Sequence, residues 1–378
     1  MPRPGHDAVL LVTGFPSLYA RKMVRHVLAE EPRALVYCVV PASREERARA
    51  ELDALDAADR ARVVLVEGDA SAMDLGLSGA EFRQLTREVD RIHHLAHVQS
   101  SATPARAAHT QNVVASAEIL EFARAASSLE CMVFHSTALV SGDRTGMVYE
   151  EDLASGQSFR SEVEETRMRA EALARRAMRE APIAVVRPTT IVGDFDPQED
   201  ERLDGLYLLV LLIVATPAEI AIPFPGKGDT PLHVVPIDYV VRAAHAIGRA
   251  HAAPGRTFHL ADPHPLSARR VAELCARATG KRTTKSHIPS NLAKALLRTP
   301  GIERFVRSPR AFVEQLTTAV RYDTRNTDLV LAGAGISCPP FETYVGDLVS
   351  AVEEHLKLRQ KRREAPSLIE VEADDPLS

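Results

Sequence analysis

Residues 8–20 read AVLLVTGFPSLYA. The first six form an apolar run closed by a threonine, the signature of a strand buried on both faces of a parallel sheet. A turn follows at Gly14, Phe15, Pro16 and Ser17, and a helix is expected over 20–30. The same order repeats downstream. Strands are expected at 34–40 (ALVYCVV), 63–67, 91–96, 131–135 and 183–187 (IAVVR), with helices over 44–60, 107–126 and 162–180. Strands alternating with helices of this length predict an α/β chain with a doubly wound parallel sheet. Ligands of such sheets sit at the carboxyl ends of the strands.

The regularity weakens after Gly193. Residues 194–203 are acidic and loop-like, and 222–231 (IPFPGKGDTP) is turn-rich. The core pattern returns at 233–241. Helices are expected at 267–279, 292–298 and 347–363, and 365–378 has the polar, acidic composition of a disordered tail. The expected organisation is a sheet domain over 1–200, rejoined by about 232–262. A smaller C-terminal lobe takes 201–231 and 263–363, leaving an acidic tail from 364.

Composition narrows the function. With 51 acidic against 46 basic residues the net charge is −5, which argues against a nucleic-acid surface. The start MPRPGHDAVLLV runs into a strand and lacks the pattern of a signal peptide. The longest apolar run, LYLLVLLIVA at 206–215, falls short of the ~20 residues that span a bilayer. It reads as a buried helix, with an acyl-binding wall or a membrane-touching face as the sharper alternative. Cys38, Cys131, Cys275 and Cys338 are far apart and include no Cys-x-x-Cys pair. That suits a reducing cytoplasm and argues against disulfides and zinc. His93, His94 and His97 mimic a metal cluster but fall at a buried strand end, so no metal is expected.

Several motifs in a fixed order carry a resemblance. They are VTGFPSLYA (12–20), EGDAS (67–71), LGLS (75–78), IHHLAHV (92–98), QNVVAS (111–116), FHSTALVSGD (134–143), RPTTIVGD (187–194), VVPIDYVVRA (234–243) and FHLADPHPLS (258–267). Together, over roughly 8–350, the chain resembles an extended short-chain dehydrogenase/reductase. It is most similar to the branch of fatty acyl-CoA reductases and thioester reductase domains. The resemblance implies a Rossmann-like sheet with a substrate lobe, an NAD(P) cofactor and acyl ligands, and is compatible with a homodimer.

The family's phosphate loop places glycines at a tight turn, at the pyrophosphate and at the helix–strand contact. Here those positions hold Gly14, Ser17 and Ala20. Ser17 adds a side chain where phosphate would approach, although its hydroxyl could donate to that phosphate. Pro16 removes an amide donor. The grip on a dinucleotide is therefore expected to be weakened or lost, and a plain strand–turn–helix connection stays open beside it. By register the cofactor would meet Gly14, Phe15, Pro16, Ser17, Leu18, Asp69, Ala70, Leu95, Ala96, Arg167, Pro188 and Ile191. Pro41 stands where NADPH-preferring relatives often place arginine, and Arg44 follows three residues on. Asp69 has a second reading as the cap of the next turn.

The resemblance also implies a catalytic set. Residues 156–171 read GQSFRSEVEETRMRAE, where relatives carry Tyr-x-x-x-Lys before Ala-Glu. Val163 takes the tyrosine position and Arg167 the lysine position. Thr137 matches the hydroxyl that orients the carbonyl and Asn112 the asparagine behind the proton relay. Each also reads as a structural residue, Thr137 at a strand end, Asn112 bracing a loop and Arg167 as a solvated helix charge. Tyr19 and Tyr149 lack the spacing to replace the missing phenol, and Tyr207 could face a substrate. The favoured expectation is an impaired reductase-like protein that binds a nucleotide or an apolar acyl ligand as sensor, carrier or partner. An active oxidoreductase with a non-standard acid and a pure interaction module are the alternatives.

Overall fold

The computed structural model describes residues 5–98, 103–194, 205–215, 222–225, 228–281, 283–288 and 318–364. The expected helix at 292–298, most of the acidic loop at 194–203 and the tail at 365–378 lie outside these residues.

Strand β1 (Ala8–Thr13) is buried throughout and is an interior strand of a seven-stranded sheet. The other strands of the sheet are β2 (Ala34–Val40), β3 (Val63–Glu67), β4 (Arg91–His94), β5 (Cys131–His135), β7 (Ile183–Pro188) and β11 (Thr257–Leu260). The order is β11-β7-β5-β4-β1-β2-β3, and every pairing is parallel. Three-residue strands complete two side pairings: β6 (Gly146–Val148) with β13 (Val320–Tyr322), and β8 (Thr190–Val192) with β10 (Val234–Pro236). β9 (Ile222–Pro225) pairs with β12 (Thr283–Ile288).

Helices cover both faces, as burial of a parallel sheet requires. α1 (Leu18–Glu30) packs with α9 (Ile237–Arg249) over Leu10, Val12, Val36 and Val133. On the opposite face α4 (Gly79–Glu88), α6 (Ala115–Ala125) and α7 (Glu162–Ala177) cover Leu11, Tyr37, Met132 and Phe134. A separate apolar cluster joins α8 (Gly205–Ala215), α10 (Ala268–Ala278) and the terminal helix Val345–Glu364. The apolar run at 206–215 is thus a buried helix, and among the described residues no helix is long and apolar enough to cross a membrane.

Three local expectations change. The helix expected over 44–60 is interrupted: α2 (Glu45–Asp53) stops, and Asp56 accepts from the Asp59 amide at 2.8 Å to start α3 (Ala57–Arg60). The helix expected over 107–126 contains a π-helical turn at Thr110–Val114, between α5 (Ala105–His109) and α6. The strand expected over 91–96 ends at His94, because Thr13 Oγ1 takes the Leu95 and Ala96 amides at 3.1 and 3.2 Å. All four cysteines are free.

Candidate active site at the carboxyl ends of the strands

Gly14 closes β1 with φ +85°. A Cβ there would lie 2.7 Å from the carbonyl carbon and oxygen of Leu95, so the crossing of the β1 and β4 loops itself demands glycine. The Ser17 amide donates to the Gly14 carbonyl at 2.9 Å, closing the loop. Ser17 is the N-cap of α1, its Oγ accepting from the Ala20 amide at 3.4 Å. That leaves the hydroxyl proton to point elsewhere. The first turn of α1 holds no acidic residue, so the positive end of the helix is not neutralised by its own side chains. Phe15 and Pro16 are buried, whereas Ser17 and Leu18 are half-exposed at the turn.

Around this loop lie the other strand ends. Asp69, exposed after β3, accepts from the Ser71 amide and hydroxyl, both at 2.8 Å, so it does cap its own turn. Ala70 follows it, half-buried. Leu95 and Ala96 are fixed by Thr13 as described. Pro188 ends β7 and Ile191 lies in β8. Pro41 precedes, and Arg44 ends, a short 3-10 turn after β2.

Thr137 leaves the end of β5 in extended conformation, half-buried, its Oγ1 accepting from the Leu139 amide at 3.2 Å. Asn112 sits in the π-helical turn, fully buried. Its Oδ1 accepts from the Val98 amide at 2.9 Å, and its Nδ2 donates to Thr166 Oγ1 at 3.0 Å. It ties α7 to the loop after β4. π-turns of this kind are frequent at functional sites.

α7 supplies the departures from the motif. Ser161 caps it, accepting from the Glu164 amide at 3.3 Å. Val163 is buried. Arg167, one turn on and on the same face, is buried too, so it is not a solvated surface charge. Its Nη2 donates to the His135 carbonyl at 2.8 Å, and its Nη1 has no partner among the described residues. Burial lowers the guanidinium pKa to about 10, which leaves it cationic at neutral pH. One turn further, Glu171 is fully buried. It accepts from Arg187 Nη2 at 2.7 Å, Arg175 Nε at 2.8 Å and Ser136 Oγ at 2.6 Å. Burial alone would raise this carboxyl; the Arg187 charge and bonds lead the effects that hold it below its ordinary value.

Residues not singled out from sequence also gather here. Tyr322 brings its hydroxyl to 3.1 Å from Ser141 Oγ and donates to the Ala138 carbonyl at 3.3 Å. Glu150, fully buried, accepts from the His259, Asn326 and Thr327 amides at 3.0, 2.6 and 3.3 Å. No local motif announces either, since both depend on chain pairing across large separations. Tyr207 turns its hydroxyl to the Gly193 backbone, accepting from the amide at 2.9 Å and donating to the carbonyl at 3.2 Å. Asp238 pairs with Lys22 at 2.8 Å and tethers α9 to α1. Tyr19 is buried, its Oη 2.9 Å from His135 Nδ1.

Similarity to known proteins points the same way as this geometry. Residues 12–244 match the model of the NAD-binding male sterility protein family. The chain belongs to that family. A linear gramicidin synthase of Brevibacillus parabrevis is 27% identical over 69% of this chain, which spans 5% of that protein. The probable fatty acyl-CoA reductase 4 of Arabidopsis thaliana is 22% identical over 65% of this chain and 64% of its own length. The chain thus spans less than two thirds of these curated relatives. In fold it is similar to the terminal R domain of a myxalamid PKS-NRPS pathway (TM-score 0.74, 23% identity, 95% of this chain and 92% of that one). It is also similar to the NAD complex of a UDP-glucuronic acid 4-epimerase from Bacillus cereus (TM-score 0.65, 16% identity, 92% and 99%). The fold is that of extended short-chain dehydrogenase/reductases, on the fatty acyl-CoA and thioester reductase branch.

The residues present fit the dinucleotide that this family binds. The α1 amides would meet the pyrophosphate, with the Ser17 side chain crowding its approach, and Asp69 and Ala70 would meet the adenine end. Arg167 Nη1, an unmatched donor at the lysine position, would meet the ribose.

Proposed function

We propose that this family member binds a nicotinamide dinucleotide and an apolar acyl ligand, and works as a sensor, carrier or assembly partner with hydride chemistry strongly impaired. The observation that carries this reading is the buried Val163 one turn before Arg167. A bound dinucleotide supplies the hydride; the chain must supply the proton for the resulting alkoxide. Val163 has none to give. Arg167 can steady negative charge, but its guanidinium keeps its protons and has one donor committed to the His135 carbonyl, so it does not replace the acid. Thr137 can orient a carbonyl without supplying a net proton.

The test is calorimetric titration with NADPH and NADH, followed by single-turnover assay with an acyl thioester or long-chain aldehyde. Expected are micromolar binding and turnover about 10²–10⁴-fold below an ordinary reductase. The double change Val163→Tyr with Arg167→Lys is expected to raise the rate. Wild-type turnover on the order of 1–10 per second would overturn the impaired reading.

One observation favours an active enzyme instead. Tyr322 holds a phenol against the Ala138 carbonyl, one residue beyond Thr137. Burial raises its pKa, which weakens it as an acid, so this reading is second. It requires that Tyr322→Phe abolish any turnover found.

A further inference from the structure

An unmatched hydrogen-bond acceptor lies at the seam between the sheet domain and the lobe. Residues 232–235 run into β10 with side chains on alternate faces. Leu232 and Val234 pack into the lobe cluster with α8 and α10, and Val235 packs into the sheet core. His233 therefore turns away from the lobe cluster, onto the Tyr322 ring, with centroids 4.9 Å apart. The Thr190 amide donates to its carbonyl at 3.3 Å, which fixes it beside β8. Burial leads the effects that hold the ring's pKa down to about 4, so at neutral pH it carries one proton. Nε2 lies 3.1 Å from the Val320 carbonyl, which can only accept, so that proton is on Nε2. Nδ1 is then a bare lone pair, buried and without a partner among the described residues.

The neighbouring donors are already committed. Tyr322 donates to the Ala138 carbonyl at 3.3 Å, which leaves Ser141 Oγ to donate to Tyr322 Oη at 3.1 Å. His259 packs on the same tyrosine ring, with centroids 5.1 Å apart. Its Nδ1 proton goes to the Asp323 carbonyl at 2.8 Å, and its Nε2 accepts from Arg187 Nη1 at 3.2 Å. None of these protons can turn to His233 Nδ1. A buried acceptor without a donor is costly, and an occupant that brings a donor removes the cost. The place suits a ligand. Tyr322 ties His233 to the exit of β5, where Ala138 follows Thr137, and Thr190 ties it to the strand that holds Ile191. Clefts where two domains meet are the usual seats of small molecules.

We infer that His233 is a specificity-determining residue that accepts, through Nδ1, a hydrogen bond from a hydroxyl group on the chain of the acyl ligand. This rests on the acyl-ligand half of the function proposed above and names the ligand class as hydroxyacyl. A hydroxyl fits better than an amide. An amide N–H brings a carbonyl that needs a donor of its own, and the protons of Tyr322, Ser141 and His259 are all in use. A hydroxyl donates without that demand. An unsubstituted chain leaves Nδ1 unmatched and binds more weakly.

The test is calorimetric titration of the full chain at neutral pH with methyl octanoate and with its 2-, 3-, 6- and 7-hydroxy derivatives, which do not close readily to lactones. Expected is that at least one hydroxy ester binds about tenfold more tightly than methyl octanoate. That ratio should fall to about one in His233→Phe, which keeps a ring against Tyr322 and removes the acceptor. If His233→Phe fails to fold, the wild type labelled with nitrogen-15 histidine still decides: the resonance of an unprotonated Nδ1 should move with the preferred hydroxy ester and stay in place with methyl octanoate. Methyl octanoate binding as tightly as every hydroxy ester would mean that water alone serves Nδ1, and would overturn the inference. So would a preference that survives in His233→Phe. Binding of no ester at all would remove the acyl-ligand half of the proposed function, whereas equal binding of all of them would leave that half standing and remove only the role of His233.

Discussion

Gly14 and Ser17 show why two positions of one glycine motif carry different weight. Gly14 has φ +85° and no room for a Cβ, so the fold requires it whatever binds. Ser17 has φ −60° and ψ 154°, a conformation any residue adopts, so no backbone demand excludes a side chain there. Only an approaching phosphate would. Ser17→Gly should therefore cost a few tenths of a kcal/mol as a lost cap, while tightening NADPH binding by roughly tenfold, about 1.4 kcal/mol. Calorimetry and thermal melts on the same variant check both, and unchanged or weaker binding would show that the hydroxyl itself holds phosphate. The departures at 17, 163 and 167 were legible from motif register alone. Tyr322 was not, because it meets its partner Ser141 across 181 residues of chain.

At the scale of elements, α7 is held by the buried contact of Glu171 with Arg187. Glu171 belongs to the Ala-Glu step that ends the motif, and from sequence it served only to set the register. The structure makes it the pin between α7, β7 and the end of β5, through Arg187 and Ser136. Glu171→Ala leaves the fully buried Arg187 without a counter-charge, and the expected loss is about 3–5 kcal/mol of stability. Denaturant melts check it; a loss below ~1 kcal/mol would mean that His259 and the Asp152 carbonyl, which also bond Arg187, suffice. The long parallel strands were readable because burial on both faces leaves unbroken apolar runs. The break at 54–56 was not, since Ala54 and Leu55 are among the best helix formers and a single aspartate costs only about 0.7 kcal/mol in a helix. Nor were β6 and β13, whose three-residue pairing exists only through tertiary contact.

For the whole molecule, the buried histidines set the response to acid. Burial holds His94 and His259 down to about 3 and His233 to about 4, against about 6.5 in an unfolded chain. A folded pKa below the unfolded one means that the unfolded chain takes up the protons. Each ring then withdraws stability as pH falls below 6.5, by ~1.4 kcal/mol per pH unit until its folded pKa is reached. Acting together, the three would remove ~4 kcal/mol between pH 5.5 and 4.5. That is a large part of the 5–15 kcal/mol typical of a folded chain. Glu150 acts in the opposite sense, because burial raises its folded pKa and so favours the fold in acid. Glu171, held low by its arginines, adds loss only below its unfolded value near 4.5. The histidine window is therefore separable. The melting temperature should be flat from pH 8 to 7 and fall steeply from 6 to 5, with uptake of about six protons on unfolding at pH 5, because burial also holds His93, His97 and His135 well below their ordinary value. A flat profile down to pH 5 would mean that the rings are hydrated or paired in solution.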